Sequence, residues 1–128
     1  MHAHESLLRN AYAAFGRGDL AGIETLCRPD LMLRVPGTGL LSGNHTWQEF
    51  VQLLGPAMTA VGGSFHEEVR RVLVAEHEGA VFVAQRADRA GRRYTWNAVH
   101  WWDIREGKLA AFHEFIDDSA AFEAAWRR

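Results

Sequence analysis

The stretch NAVHWWDIREGKLAAFHEFI, residues 97–116, decides how the second half of this chain folds. Its first eight residues alternate between two largely apolar faces, because successive side chains of a strand point to opposite sides. Glu106 and Gly107 then form the short turn of a β-hairpin, and a second alternating run follows. The stretch therefore predicts two antiparallel strands, the first of which carries His100 on an apolar face.

The number of residues in the turn determines which residue faces His100. A two-residue turn with regular pairing places His113 opposite His100, with Asp117 further along the same face. A single bulge in the second strand shifts the count by one residue and brings Glu114 opposite His100 instead. We favour the bulged register, because its inner face is the more apolar of the two, and we keep His113 and Asp117 as alternative polar residues of the site.

Three helices are predicted in the first half of the chain. Apolar residues recur at helical spacing over residues 5–15, and Asp19 is a good N-cap for a second, shorter helix. Thr46 and Glu49 form the capping box of a third helix, which ends before a pair of glycines. A strand, LMLRV at residues 31–35, lies between the second and the third helix.

The second half of the chain changes from helical to alternating periodicity. Short turns join four predicted strands, at residues 64–76, 80–88, 93–105 and 108–116. A final helix is expected at residues 119–126. Helices followed by antiparallel strands indicate the α+β class, with a curved, mixed or antiparallel sheet wrapped around the N-terminal helices. Neither a repeat nor a linker divides the sequence, so we expect a single domain over residues 1–128.

The composition is that of an ordinary globular protein. Hydrophobic residues make up 48% of the chain and charged residues 23%. The net charge of -2 argues against nucleic acid as a partner, and no apolar run is long enough to span a membrane. The single cysteine excludes an internal disulfide, and the N-terminus lacks a signal-peptide pattern, so we expect a cytoplasmic protein.

Sequence motifs of metal and cofactor sites are missing. No histidines or carboxylates have the HxxxH or HExxH spacing of metal ligands, so we expect no bound metal. The nucleotide motifs GxGxxG and GKS/GKT and the serine hydrolase motif GxSxG do not occur either. We therefore expect chemistry without a cofactor.

Two long segments carry a family resemblance. The segment AYAAFGRGDLAGIETLCRPDLMLRVPG, residues 11–37, resembles the beginning of SnoaL-like proteins, within the nuclear-transport-factor-2-like (NTF2-like) superfamily. VHWWDIREGKLAAFHEFIDD, residues 99–118, together with AAFEAAW, residues 120–126, resembles their end. The resemblance implies a cone-shaped α+β barrel with a deep pocket between the sheet and the helices, often dimerised through the outer face of the sheet. The superfamily includes isomerases, cyclases, dehydratases, epoxide hydrolases and non-catalytic binding domains.

The resemblance also implies a catalytic pair. In SnoaL-like polyketide cyclases, a carboxylate at the position that matches Glu114 is the base, and a histidine at the position of His100 assists it. Here the carboxylate is Glu instead of the usual Asp, which makes the side chain one methylene longer. Burial raises the pKa of a carboxyl group, which makes it a better base near neutral pH, and His100 would orient it or protonate a developing enolate. A buried pair of this kind can also be a purely structural contact.

Further residues are candidates for binding a ligand. The candidates for the pocket wall are Trp47, Trp96, Trp102, Phe112 and Ile116. A role in the core is at least as consistent with the position of Trp47. Tyr12 lies on the apolar stripe of the first helix, where its hydroxyl could reach a ligand carbonyl. Arg34 is either a surface charge at a strand end or a cation in the pocket.

These observations lead to a functional expectation. We expect a cofactor-independent acid–base enzyme, of isomerase, cyclase or dehydratase type, that acts on a small hydrophobic polyketide- or steroid-like molecule. The alternatives are a non-catalytic ligand-binding domain and a module that only dimerises. Trp101 and Val99 point away from the face of His100, and we expect a second copy of the chain to cover them in a homodimer.

Overall fold

Residues 2–128, which the computed structural model describes, form four helices and six strands. The helices are α1 (Ala3–Gly16), α2 (Leu20–Glu24), α3 (Trp47–Ala60) and α4 (Ser119–Trp126). The strands are β1 (Cys27–Val35), β2 (Gly43–Thr46), β3 (His66–Val74), β4 (Glu78–Arg89), β5 (Arg92–Arg105) and β6 (Lys108–Ile116).

All six strands belong to one curved and open sheet, in the order β2-β1-β6-β5-β4-β3. β1 and β6 run parallel, and every other neighbouring pair is antiparallel. The helices pack on one face of this sheet, with α1 against β3 and β4, α3 against β1 and β2, and α4 against β4 and β5. The α+β class and the cone-shaped architecture predicted from the sequence are confirmed.

Local sequence signals account for most of the element boundaries. Thr46 and Glu49 form the predicted capping box of α3, and Asp19 caps α2 by accepting a hydrogen bond from the backbone N–H of Gly22. Glu106 and Gly107 both have positive φ angles, of 51° and 74°, which suits the tight turn between β5 and β6. The sequence missed β2, because its four residues carry no alternation and are held only by pairing with β1.

A bulge in β6 sets the register of the hairpin that carries His100. Ile104 pairs with Leu109, whereas the preceding residue, Asp103, pairs with Ala111. The residue between the two partners, Ala110, is therefore the extra one, and all later pairs are shifted by one position. This is the bulged register favoured from the sequence.

Helix α1 lies close against the sheet because a glycine occupies the contact. A Cβ atom on Gly79 of β4 would lie 2.5 Å from Cδ1 of Leu8, which is fully buried in the core. Tyr12 lies one helical turn after Leu8 on the same side of α1, since residues at i and i+4 share a helix face. The close approach of α1 therefore brings the Tyr12 side chain to the inner face of the sheet.

The loop between β1 and β2 packs against the end of α4. The N–H of Leu40 donates a hydrogen bond to the carbonyl oxygen of Trp126 at 2.7 Å. A Cβ atom on Gly39 would lie 2.6 Å from the same oxygen, which belongs to the backbone and cannot move without shifting the end of the helix. The Trp126 side chain is almost fully buried in the core.

We expect Gly39→Ala to destabilise the fold, because the added methyl group collides with the Trp126 carbonyl. The free energy of unfolding should fall by roughly 1–3 kcal/mol, the usual cost of overpacking, as measured by urea denaturation. Gly16→Ala is the matched control, since a Cβ atom there meets nothing within 4 Å. The control should leave stability unchanged or raise it slightly, and equal losses in both variants would contradict this account.

Candidate functional site

A cavity opens between the inner face of the sheet and the helices. Its volume is about 760 Å³, including the mouth. The wall is mostly apolar and includes Phe15, Leu33, Trp47, Phe50, Leu54, Met58, Phe65, Trp102, Phe112 and Phe122. The polar side chains on the wall are Tyr12, Glu67, Gln85, His100 and Glu114. A concave apolar site with a few convergent polar groups is typical of a small-molecule pocket.

His100 and Glu114 face each other across β5 and β6. The distance from His100 Nε2 to Glu114 Oε2 is 2.6 Å, and the two residues are only 4% and 7% exposed. The bulge at Ala110 makes this contact, because it shifts the register so that the two residues are directly paired. The structure therefore has the Glu114 side chain on the face of His100 and within hydrogen-bond reach, as the bulged register predicts.

Tyr12 extends this contact into a chain of hydrogen bonds. The Tyr12 hydroxyl lies 2.5 Å from Nδ1 of His100, and the indole N–H of Trp102 donates to the same hydroxyl oxygen at 3.0 Å. Burial is the main cause that raises the pKa of Tyr12 well above its usual value. The hydroxyl therefore keeps its proton under ordinary conditions.

The direction of the chain follows from what each group can donate. An indole N–H can only donate, so the oxygen of Tyr12 accepts from Trp102 and its O–H is free to donate to His100 Nδ1. In this direction of the chain, the Nε2–H of His100 donates to the Glu114 carboxyl group. Glu114 has no other hydrogen bond among residues 2–128, so its second oxygen is free to act on a ligand in the cavity.

The cavity contains a second carboxyl group, Glu67, which sequence reasoning missed. Gln85 Nε2 donates to Glu67 Oε2 at 2.6 Å, and the indole N–H of Trp96 donates to Gln85 Oε1 at 2.6 Å. Burial raises the pKa of Glu67. The sequence of β4 did contain a signal for a polar contact at this place. Alternation puts the polar Gln85 on the same strand face as the buried Val83, so Gln85 needs a polar partner inside the protein.

Four of the predicted wall residues do line the cavity. Tyr12 reaches it from α1, Trp47 from the first turn of α3, Trp102 from β5 and Phe112 from β6. The ring of Phe112 contacts the rings of both His100 and Trp102, with a centroid distance of 4.8 Å in each pair. The structure therefore brings these side chains together with the His100–Glu114 pair.

Three predicted wall residues lie elsewhere. Arg34 is exposed on the outer face, because the alternation of β1 turns its neighbours Leu33 and Val35 inward. Trp96 is buried in the core behind the cavity, where its indole N–H is used by Gln85. Ile116 is half-buried at the end of β6, beyond the lining residues.

The two alternative polar residues are also outside the cavity. The bulge turns His113 to the outer face, where it pairs with Trp101. Asp117 accepts hydrogen bonds from the backbone N–H and the side-chain amide of Asn97, at 2.8 and 3.0 Å, and so fastens the end of β6 to β5. These bonds lower the pKa of Asp117. The next residue, Asp118, caps α4 by accepting a hydrogen bond from the backbone N–H of Ala121.

Residues 2–128 contain neither a membrane-crossing helix nor a cluster of metal-ligating side chains. No helix in this part of the chain is both long and apolar enough to cross a membrane. No group of three or more His, Cys, Asp or Glu side chains is arranged to hold a metal ion there.

An open sheet whose helix-covered face encloses an apolar cavity defines a cone-shaped α+β fold. The sequence profile of the SnoaL-like domain matches residues 8–112, and the chain belongs to this family. Uncharacterized proteins of Mycobacterium tuberculosis and Mycobacterium bovis are 32% identical over 123 residues, which cover 94% of this chain and 93% of theirs.

Solved structures share the fold. Bal32a, from a soil-derived mobile gene cassette, superposes with a TM-score of 0.88 at 23% identity, over 98% of this chain and 97% of its own. An NTF2-like protein of unknown function from Burkholderia pseudomallei has a TM-score of 0.87 at 22% identity over all of both chains. TerC, co-crystallised with polyporic acid, has a TM-score of 0.82 at 23% identity, over 97% of this chain and 98% of its own.

We expect Tyr12→Phe to destabilise the protein, because it leaves the Trp102 N–H and His100 Nδ1 without their common partner. The free energy of unfolding should fall by roughly 1–3 kcal/mol, as measured by urea denaturation. Tyr94→Phe is the control, since the hydroxyl of Tyr94 has no hydrogen bond within residues 2–128 and its loss should change stability by less than about 0.5 kcal/mol. Equal effects of both substitutions would show that the hydrogen bonds of Tyr12 contribute nothing.

Proposed function

We propose that this protein is a cofactor-independent acid–base enzyme, with Glu114 as the base and His100 as its partner. The observation that carries the proposal is the chain of hydrogen bonds from Tyr12 through His100 to Glu114, which ends in a hydrophobic cavity. The class of reaction is an isomerisation, cyclisation or dehydration of a small hydrophobic molecule of polyketide or steroid type. The SnoaL-like family and a neighbour crystallised with polyporic acid support a small-molecule site.

In the proposed reaction each group has a role in proton transfer. The free oxygen of Glu114 takes a proton from a carbon atom of the ligand, and the same group returns it to another atom of the ligand. The Nε2–H of His100 holds the carboxylate in place, and the Tyr12 hydroxyl holds the imidazole in the required tautomer. Apolar walls exclude water and prevent its competition for the proton.

A binding domain without turnover is the second candidate. It is favoured by the same apolar wall, because such a cavity binds a hydrophobic molecule whether or not chemistry follows. A module that only dimerises fits less well, because dimerisation does not require an ordered polar chain that faces an internal cavity.

Proton abstraction can be tested before the substrate is known. Wild-type protein should catalyse exchange of hydrogen for deuterium next to the carbonyl group of bicyclic and polycyclic ketones in D₂O, as followed by NMR. Glu114→Gln keeps the shape but removes the base, so exchange should fall by roughly 100-fold or more. His100→Ala should reduce exchange less, because the carboxylate remains.

Glu68→Gln is the control for this experiment. Glu68 is on β3 but exposed, so its replacement should leave exchange unchanged. Equal exchange rates for wild type and Glu114→Gln would reject Glu114 as the base. Ketone binding without any exchange by the wild type would identify a binding domain.

We also propose that the protein is a homodimer through the outer face of the sheet. Phe82 pairs with Val99 and Val99 with Phe115 on that face, and Phe115 is 51% exposed. Trp101 lies in the next row and Leu73, 50% exposed, lies on the same side. A contiguous apolar surface of this kind is usually covered by a partner.

Light scattering after size-exclusion chromatography tests the dimer. Wild type should have twice the mass of the chain at micromolar concentration, and Phe115→Glu should be a folded monomer, because a buried unpaired charge opposes association. Gln52→Glu adds the same charge on exposed α3, away from the outer face, and should remain dimeric. A monomeric wild type would contradict the proposal.

A further inference from the structure

The cavity wall contains a carboxyl group that the proposed acid–base chain does not use. Glu67 of β3 lines the same cavity as Glu114. Within residues 2–128 its only hydrogen bond is the one from the Gln85 amide to Oε2, and it forms no ion pair with Arg or Lys. Glu67 is half-buried at the cavity wall, and its other oxygen, Oε1, has no hydrogen-bond partner within residues 2–128, so it is available to a molecule in the cavity.

The orientation of the Gln85 amide fixes which oxygen of Glu67 is available. Because the indole N–H of Trp96 can only donate, the carbonyl end of Gln85 faces Trp96 and its NH₂ end faces Glu67. Gln85 and Trp96 are 6% and 3% exposed, so neither exchanges its partner for water. Oε2 of Glu67 is therefore the accepting, carbonyl-type oxygen, and a proton on this group belongs on Oε1.

The surroundings of Glu67 favour the protonated form. Burial is the largest cause that raises its pKa, and the nearby Glu114 on β6 raises it further. Three groups lower the pKa of Glu67, each by less than burial raises it: His100 on β5, the Gln85 amide on β4 and His66 on its own strand. Tyr12 on α1 also faces it and adds no positive charge. The balance of these contributions is a raised pKa of Glu67.

We propose that Glu67 is a second functional group of this cavity, a neutral carboxylic acid whose Oε1 hydroxyl donates a hydrogen bond to an oxygen atom of the bound molecule. The inference rests on the proposed function in one respect, namely that the cavity is the binding site. It names the ligand class: a hydrophobic molecule with an acceptor oxygen, such as an aromatic ketone, is bound in preference to the corresponding hydrocarbon. Glu114 and Glu67 then act as acceptor and donor on two different atoms of the ligand.

The probes are 1-tetralone and tetralin, which share a bicyclic skeleton and differ in one carbonyl oxygen. Their affinities are measured by NMR titration of amide shifts near neutral pH. Wild type should prefer the ketone, and Glu67→Leu should reduce the ratio of ketone to hydrocarbon affinity roughly fivefold, the effect of one hydrogen bond. Glu67→Gln should keep the preference, because its NH₂ group can donate from the position of Oε1.

The opposite protonation state gives the opposite result. If Glu67 were a carboxylate, it would repel the ketone oxygen, so Glu67→Gln would raise the ketone preference above that of wild type. That outcome overturns the proposal, as does an unchanged ratio in Glu67→Leu. Glu68→Gln, on the exposed side of β3, is the control and should match wild type.

The pH dependence provides a second readout with a definite sign. As the pH rises through the raised pKa of Glu67, Oε1 loses its proton and the donor becomes an acceptor. The ketone preference of wild type should therefore decline with increasing pH, whereas that of Glu67→Gln should stay constant. An infrared difference spectrum of wild type minus Glu67→Gln near neutral pH should show the carbonyl band of a protonated carboxylic acid, and its absence would overturn the proposal.

The outcome is independent of whether the protein is an enzyme. Glu114→Gln should lose hydrogen exchange but keep the ketone preference, since it leaves Glu67 and its partners in place. If the wild type prefers the ketone but catalyses no hydrogen exchange, only the proposed catalysis is rejected and the role of Glu67 stands. If the wild type catalyses hydrogen exchange but Glu67→Leu leaves the ratio of ketone to hydrocarbon affinity unchanged, only the role of Glu67 is rejected.

Discussion

A buried carboxylate must find hydrogen-bond donors inside the protein, and the architecture around Glu114 meets this requirement with three residues from two elements. His100 donates to Glu114 from the neighbouring strand, Tyr12 reaches His100 from α1, and Trp102 donates to Tyr12. This chain needs the close contact between α1 and the sheet, which the glycine at position 79 allows. The packing of the first helix and the chemistry of the last hairpin are thus parts of one arrangement.

The sequence predicted the elements well because their signals are local. The capping box of α3, the turn after β5 and the final helix all depend on residues that are adjacent in the chain. The register of β6 depends on where one extra residue is accommodated, and alternation alone left Glu114 and His113 as alternatives. The apolar character of the resulting inner face favoured Glu114, and pairing with His100 in the structure agrees.

The parts of the site that the sequence did not give depend on contacts between distant residues. Alternation places Glu67 on the side of Phe65 and Val69, but the irregular pairing after Val69 interrupts the alternation, so β3 shows no continuous inner face in the sequence. Trp96 has the correct parity for the cavity, but α4 covers it, with the rings of Phe122 and Trp126 in edge-on contact. Helix placement, which periodicity does not encode, separates wall residues from core residues.

The bulge at Ala110 also has a consequence for how such a site can change over generations. Because Ala110 is the one residue of this stretch of β6 without a partner on β5, loss of its codon would remove the bulge and leave Glu114 opposite His100. Straightening the bulge at unchanged chain length would instead bring His113 opposite His100, and an imidazole would replace the carboxyl group in the cavity. The extra residue therefore lets the hairpin lose one position without exchanging the polar groups of the site.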